Sequence, residues 1–272
     1  MNLLYPVSLV LLLPALVVAE VTSFNNCPQF FAKPYSQVTF PTIFHDPIYK
    51  QICQRHNNIY EYATLYNTTN RIPVYSAYKY FGRTSCTRRS GKWFIEPQLD
   101  IPDGSPDMSP EGPNIGPKQA RNKDYINSGY HKGHLYPIFQ VLQHCTADAT
   151  FTLTNGAPQV PNFNQSAWKK IEIEIAKLLS TNPNCKGNPV YVVTGTVPGN
   201  TQINGRVNIP SYYWSAYCCL DDNNIPKMSN GYIGRNVINS NVDGPMVVAA
   251  LDAILSDTNH YATLFSVFGG KC

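Results

Sequence analysis

The chain has 272 residues and a formal net charge of +4, with 14% charged residues, 18 Tyr and 22 Pro. That length holds one sizeable domain or two small ones, and the composition suits a loop-rich extracellular protein better than a long-helix one. The small positive charge biases the protein only mildly toward anionic partners.

The first twenty residues, MNLLYPVSLVLLLPALVVAE, hold an apolar run broken by Pro6 and Pro14, with Ala19 before Glu20. This reads as a secretory signal cleaved after Ala19, because the run is short for an anchor helix and no basic cluster follows it. Secretion is the expectation, and residues 20–272 read as one domain. Met246 to Leu255 is apolar but too short to span a membrane and contains Asp252. All eight cysteines (27, 53, 86, 145, 185, 218, 219 and 272) follow the cleavage point, which implies a disulfide framework whose pairing stays open. No C-x-x-C pair occurs, against a structural zinc site.

In chain order, RIPVYSAYKYF (71–81) alternates as a strand does, and IPDGSPDMSPEGPNIGPKQ (101–119) is an irregular loop dense in Pro and Gly. ATFTLTN (149–155) alternates again and predicts a strand ending at Asn155. From Gln165 the period becomes helical, with Trp168, Ile171, Ile175 and Leu178 in phase, and Pro183 marks the end. NPVYVVTGTV (188–197) and SYYWSAYCCL (211–220) predict two further strands, and 246–255 a last helix. The sum is α+β, a mostly antiparallel sheet with packed helices.

His131-Lys132-Gly133-His134 is a weak signal by itself. A metalloprotease pair needs His-Glu-x-x-His on a helix, and Gly133 with Pro137 opposes a helix here. The sharper pattern lies downstream. Asn155 falls at a strand end, Asn164 where the helix begins, and Glu172 about two turns later on nearly the same side. A histidine, a basic residue, two amides and a carboxylate suit phosphoryl chemistry. Hydrolysis of a phosphodiester needs an activated water and neutralised charge. A Mg²⁺-type ion keeps most of its waters and takes only one or two protein oxygens, which an amide can supply.

TNGAPQ (154–159), NQSAWKKIE (164–172) and the last two positions of HKGH carry a resemblance that spans nearly the whole chain after residue 19. The chain resembles the DNA/RNA non-specific endonuclease family, with its ββα-metal (His-Me finger) unit. Within it, CPQFF, WFIEPQL and VNIPSYYWSAYCC are similar to the secreted endonuclease domain-containing 1-like proteins. The resemblance implies His134 as general base, Asn164 as direct ligand of Mg²⁺ or another divalent ion such as Mn²⁺, and Asn155 as hydrogen-bonding support. It implies Glu172 as orienter of a metal-bound water and Lys132 in place of a phosphate-stabilising arginine. DNA and RNA would be the substrates.

The chain departs from the family pattern at His131, which replaces an aspartate, at Lys132, which loses the planar arginine fork, and at Gly91, which replaces an arginine. Arg88 and Arg89 stand near enough to substitute as phosphate contacts, and the run RTSCTRRSGK reads equally as a solvated loop. Trp168 reads as core, and Glu174 as surface. Of two sequons, Asn67 is the expected glycan acceptor and Asn164 is expected unmodified. The first expectation is a secreted, metal-dependent endonuclease with little sequence preference. The alternative is a secreted nucleic-acid-binding or defence protein on the same fold with weakened or lost catalysis. A secreted zinc hydrolase lacks ligands.

Overall fold

The computed structural model describes residues 20–82, 92–113, 115–141 and 144–272, with backbone alone at 144–146. Arg88, Arg89, Gly91 and Cys86 lie outside the described residues, as does the side chain of Cys145.

Three strands open the fold: β1 (Tyr49–His56), β2 (Ile59–Asn67) and β3 (Ile72–Tyr80). Asn57 and Asn58 join the first two with positive φ at both positions (50° and 65°), the geometry that matches a tight hairpin to strand twist. Next comes a short ribbon, β4 (His131–His134) against β5 (Gly156–Gln159). A helical segment, α1 (161–181), follows, then β6 (Val190–Val197), β7 (Tyr212–Leu220), β8 (Pro226–Arg235), β9 (Val242–Met246) and α2 (Val248–Ser256). Seven strands form one sheet in the order β1-β2-β3-β6-β7-β8-β9, every neighbour antiparallel.

Both faces of this sheet are covered, so every residue of β6 is buried, Thr194 and Thr196 included. Tyr191 and Val193 face one layer with Phe24, Phe31, Leu251 and Leu255, while Val190 and Val192 face the other with Ile171, Ile175 and Leu179 of α1. The strand period of two also separates the adjacent cysteines of β7. Cys219 pairs with Cys185 behind α1, and Cys218 pairs with Cys272 on the opposite face; Cys27–Cys53 ties the N-terminal segment to β1. Burial of one such packed sheet supplies the rigidity that the outlying ribbon borrows.

The expected strand at 149–155 does not form. Leu153–Asn155 is a 3₁₀ turn, and pairing begins only at Gly156. The alternation has another cause: the hydroxyls of Thr152 and Thr154 both donate to Glu96 Oε1 (2.6 and 2.8 Å), a buried carboxylate. The helix also starts earlier than expected, at Pro161, where proline's missing N–H costs nothing. Asn67 does not sit in an open turn. It is 3% exposed and its Oδ1 accepts from Thr69 N and Asn70 N, so the folded chain offers no ready glycan acceptor there. Trp168 is buried and Glu174 exposed, as expected. No helix among the described residues is long and apolar enough to cross a membrane.

Candidate active site

The β4–β5 ribbon pairs His131 with Gln159, Lys132 with Pro158, Gly133 with Ala157, and His134 with Gly156. Cross-strand partners share a face and successive residues alternate, so the ribbon has two chemically different sides.

On one side stand Lys132 and His134, beside Gly156. Trp93 lies over this side: its ring is 4.7 Å from that of His134, and a Cβ on Gly156 would come within 2.9 Å of it. Phe151 meets the His134 ring edge-on at 4.6 Å. The Lys132 ammonium donates to Asn122 Oδ1 (2.7 Å) and sits 5.2 Å from the Trp93 ring centroid and 5.5 Å from that of Tyr125. Two aromatic faces and an amide oxygen therefore fix the cation. It borders an open cleft of about 400 Å³ lined also by Lys92, Trp93, Glu111 and Asn122.

The other side carries His131 and Gln159. Here α1 arrives: Asn164 Nδ2 is 3.3 Å from His131 Nδ1. The imidazole that Asn164 meets is thus His131, three positions before His134. Asn164 opens a π turn (Asn164–Trp168) inside the helix, between Pro161–Phe163 and Lys169–Thr181. The wider turn shifts the phase between Asn164 and Glu172 that a regular helix would impose, and such insertions recur at functional sites. Gln159 is fully buried and neither atom of its amide makes a hydrogen bond. Gly133 makes room for that amide, since a Cβ there would come within 2.2 Å of Gln159 Oε1.

Glu172, half-buried by surface area, lines a small, partly open cavity with Leu135, Gln140, Trp168, Ile171 and Ile175. Burial pushes its carboxyl up to about 8. The Trp168 indole N–H and the Lys169 charge offset part of that rise, although the indole stays outside hydrogen-bonding geometry. Asn155 is fully buried below the ribbon with its amide saturated. Its Oδ1 accepts from Ser76 Oγ and Tyr136 N (both 2.9 Å), and its Nδ2 donates to the carbonyls of Tyr136 (3.2 Å) and Thr150 (2.9 Å). It clamps β3 to the chain just after His134.

The structure so brings Lys132 and His134 together on one face, sets Asn164 against His131 on the other, and holds Asn155 and Glu172 in the layers beneath. Gln159 and Trp93 are the residues that sequence reasoning passed over. Gln159 belongs to the TNGAPQ stretch, but only the ribbon's register reveals that it faces His131. Among the described residues no three His, Cys, Asp or Glu gather, so a closed zinc-type site does not fit. The donors that do gather are amide and imidazole, with an unsatisfied buried amide among them. That set fits a largely hydrated divalent ion.

A mostly antiparallel sheet with packed helices and a two-strand-plus-helix unit is the architecture of ββα-metal nucleases. The family model for DNA/RNA non-specific endonuclease matches residues 43–245, and the chain belongs to that family. It is 35% identical over 212 residues to the human Endonuclease domain-containing 1 protein, covering 75% of this chain and 41% of that protein. Against bovine mitochondrial Endonuclease G it is 42% identical over 78 residues, 28% of this chain and 24% of that one. The solved EndoG/EndoGI complex matches in fold with a TM-score of 0.54 at 20% identity, covering 79% of this chain and 84% of the matched one. The mouse Endonuclease domain-containing 1 protein is 34% identical, and again the chain spans only 42% of its length.

Proposed function

We propose that the protein is a secreted, metal-dependent endonuclease that hydrolyses the phosphodiester bonds of DNA and RNA with little sequence preference. Residues 1–19 act as its cleaved signal, and 20–272 as one nuclease domain. The observation that carries this reading is the shared face of Lys132 and His134, both packed on Trp93, with Lys132 and Trp93 lining an open cleft.

His134 is the general base in this scheme. Trp93 and Phe151 fix its ring plane, and a neutral imidazole can take a proton from water near physiological pH. Lys132 supplies a positioned positive charge for the phosphate oxygens, already oriented before substrate arrives. Asn164 would hold the divalent ion, Mg²⁺ or Mn²⁺, beside His131 on the face of the ribbon opposite His134, and the chemistry the ion would supply is charge neutralisation at the phosphate. Asn155 positions the His134 strand through Tyr136 and Ser76, and Glu172 stands behind the site as a carboxyl group able to orient water. Arg88 and Arg89, outside the described residues, are proposed as further phosphate contacts. A site built from backbone-reading charges gives salt-sensitive, sequence-tolerant binding.

A second reading, a nucleic-acid-binding protein with weakened catalysis, draws support from Lys132, whose charge is already engaged by Asn122. Digestion of plasmid and RNA with divalent ion, with and without chelator, decides between them. The native protein should cut, chelator should stop it, and His134→Ala should lose about 10²- to 10⁴-fold in rate. Equal cutting by both proteins would remove His134 from the chemistry. Salt-sensitive DNA binding without cutting by either would establish the second reading.

A further inference from the structure

The metal-facing side of the ribbon contains more donor chemistry than the proposed scheme uses. We infer that His131 supplies an imidazole nitrogen to the same divalent ion as Asn164, so that this site prefers a borderline ion such as Mn²⁺ to Mg²⁺. The inference rests on the reading that Asn164 holds an ion.

Three observations carry it. First, the amide of Asn164 and Nδ1 of His131 stand 3.3 Å apart. The amide nitrogen faces the ring, and a half-turn of the terminal torsion places Oδ1 there at the same separation, because the two ends of an amide are interchangeable in shape. Neighbouring ligands of an octahedral ion with bonds near 2.1 Å are about 3.0 Å apart, so a shift of only a few tenths of an ångström would let one ion bridge the pair. Second, the backbone fixes the imidazole, since His131 is paired with Gln159 in the ribbon. Its side chain is half-buried, which leaves one side of the pair for the waters that such an ion keeps. Third, Gln159 lies directly across from His131, fully buried, with both amide atoms unsatisfied. An unpaired buried amide costs on the order of 1–3 kcal/mol and is retained where a ligand completes it. An ion-bound water between His131 and Gln159 would do so, its proton donated to Gln159 Oε1. The glycine at 133 lets the Gln159 amide lie against the ribbon on the His131 side.

The chemistry of the donor sets the preference. An all-oxygen shell suits Mg²⁺, whereas imidazole nitrogen raises affinity along the first transition row and leaves Mg²⁺ behind.

The test reads metal binding directly, without activity. Mn²⁺ is added to the purified, disulfide-intact protein, and pulsed electron paramagnetic resonance measures modulation from a directly bound ¹⁴N nucleus. Calorimetric titration with Mn²⁺ and with Mg²⁺ gives the two affinities. The native protein should show imidazole nitrogen coupling and bind Mn²⁺ more tightly. His131→Asp should abolish the coupling and lower the Mn²⁺-to-Mg²⁺ affinity ratio by about tenfold or more. Metal-free melting curves establish that this variant folds, and the native spectrum decides the question if it does not. An ion bound at one per chain and lost in Asn164→Ala, yet without nitrogen coupling, would overturn the role of His131 and leave the ion site standing. No ion bound by the native protein would overturn both.

Discussion

Two buried amides at opposite ends of one short strand segment behave differently. Asn155, at the root of the ribbon, fills its oxygen and nitrogen with four hydrogen bonds to Ser76, Tyr136 and Thr150. Gln159, at the outer end, is equally buried and makes none. The root is scaffold: its polar groups are satisfied by the fold alone. The outer face is left open, as a surface completed by something other than protein would be. Asn155→Ala should therefore cost about 3–5 kcal/mol, because it strands two donors and two carbonyls in a dry layer. Gln159→Met, which swaps an unsatisfied amide for an apolar chain of similar length, should leave metal-free stability within about 1 kcal/mol of native or raise it. Urea denaturation of both variants checks the pair. Comparable losses in the two would end the distinction between root and outer face.

Glu172 sharpens the comparison, since it too is a polar group that the fold compensates only in part. Its carboxyl titrates at about 8 in the folded chain against an ordinary value of 4.5, because burial opposes ionisation. A folded value raised above the unfolded one means that the neutral acid is the form the fold tolerates. Its contribution to stability is complete below about pH 4.5 and is lost as the pH rises to about 8. Glu172→Gln keeps the neutral shape at every pH. The variant should match the native protein near pH 4.5 and become more stable by up to about 4–5 kcal/mol above pH 8. Melting curves across that range measure the divergence. Curves that stay parallel would place the carboxylate in a solvated or paired setting, and the cavity would then be no part of the open set.

How much of this was legible beforehand follows from what each residue's role depends on. Strands β3, β6 and β7 announce themselves by local pattern, and Pro183 marks the end of α1, because burial and proline geometry act within a few residues. The alternation at 149–155 misled, since hydroxyls gathered around Glu96 produce the same period as a strand face. The site was readable as a set of residue types, but its two-sidedness was not. Whether His131 or His134 meets Asn164 depends on the strand register and on the π turn that begins at Asn164, neither of which has a local signature. Gln159 remained silent for the same reason: a missing hydrogen bond has no sequence pattern.

Lys132 belongs with the satisfied groups, and a conservative change there gives the smallest effect. Its ammonium is held by Asn122 Oδ1 at 2.7 Å and by two ring faces, so it approaches phosphate as a single point of charge. Lys132→Arg keeps the charge and the stacking on Trp93 while adding a planar fork that can grip two phosphate oxygens. If phosphate contact limits turnover, cleavage should rise by roughly two- to tenfold, the scale of one added hydrogen bond of about 0.5–1.4 kcal/mol. Stability should hardly change, because Asn122 can accept from either side chain. Initial rates on plasmid, with melting temperature as the control, measure both quantities. A variant that cuts more slowly at unchanged stability would mean that the ammonium's fixed position by Asn122 matters more than fork geometry, and the departure from arginine would then be an adaptation of this cleft and no defect in it.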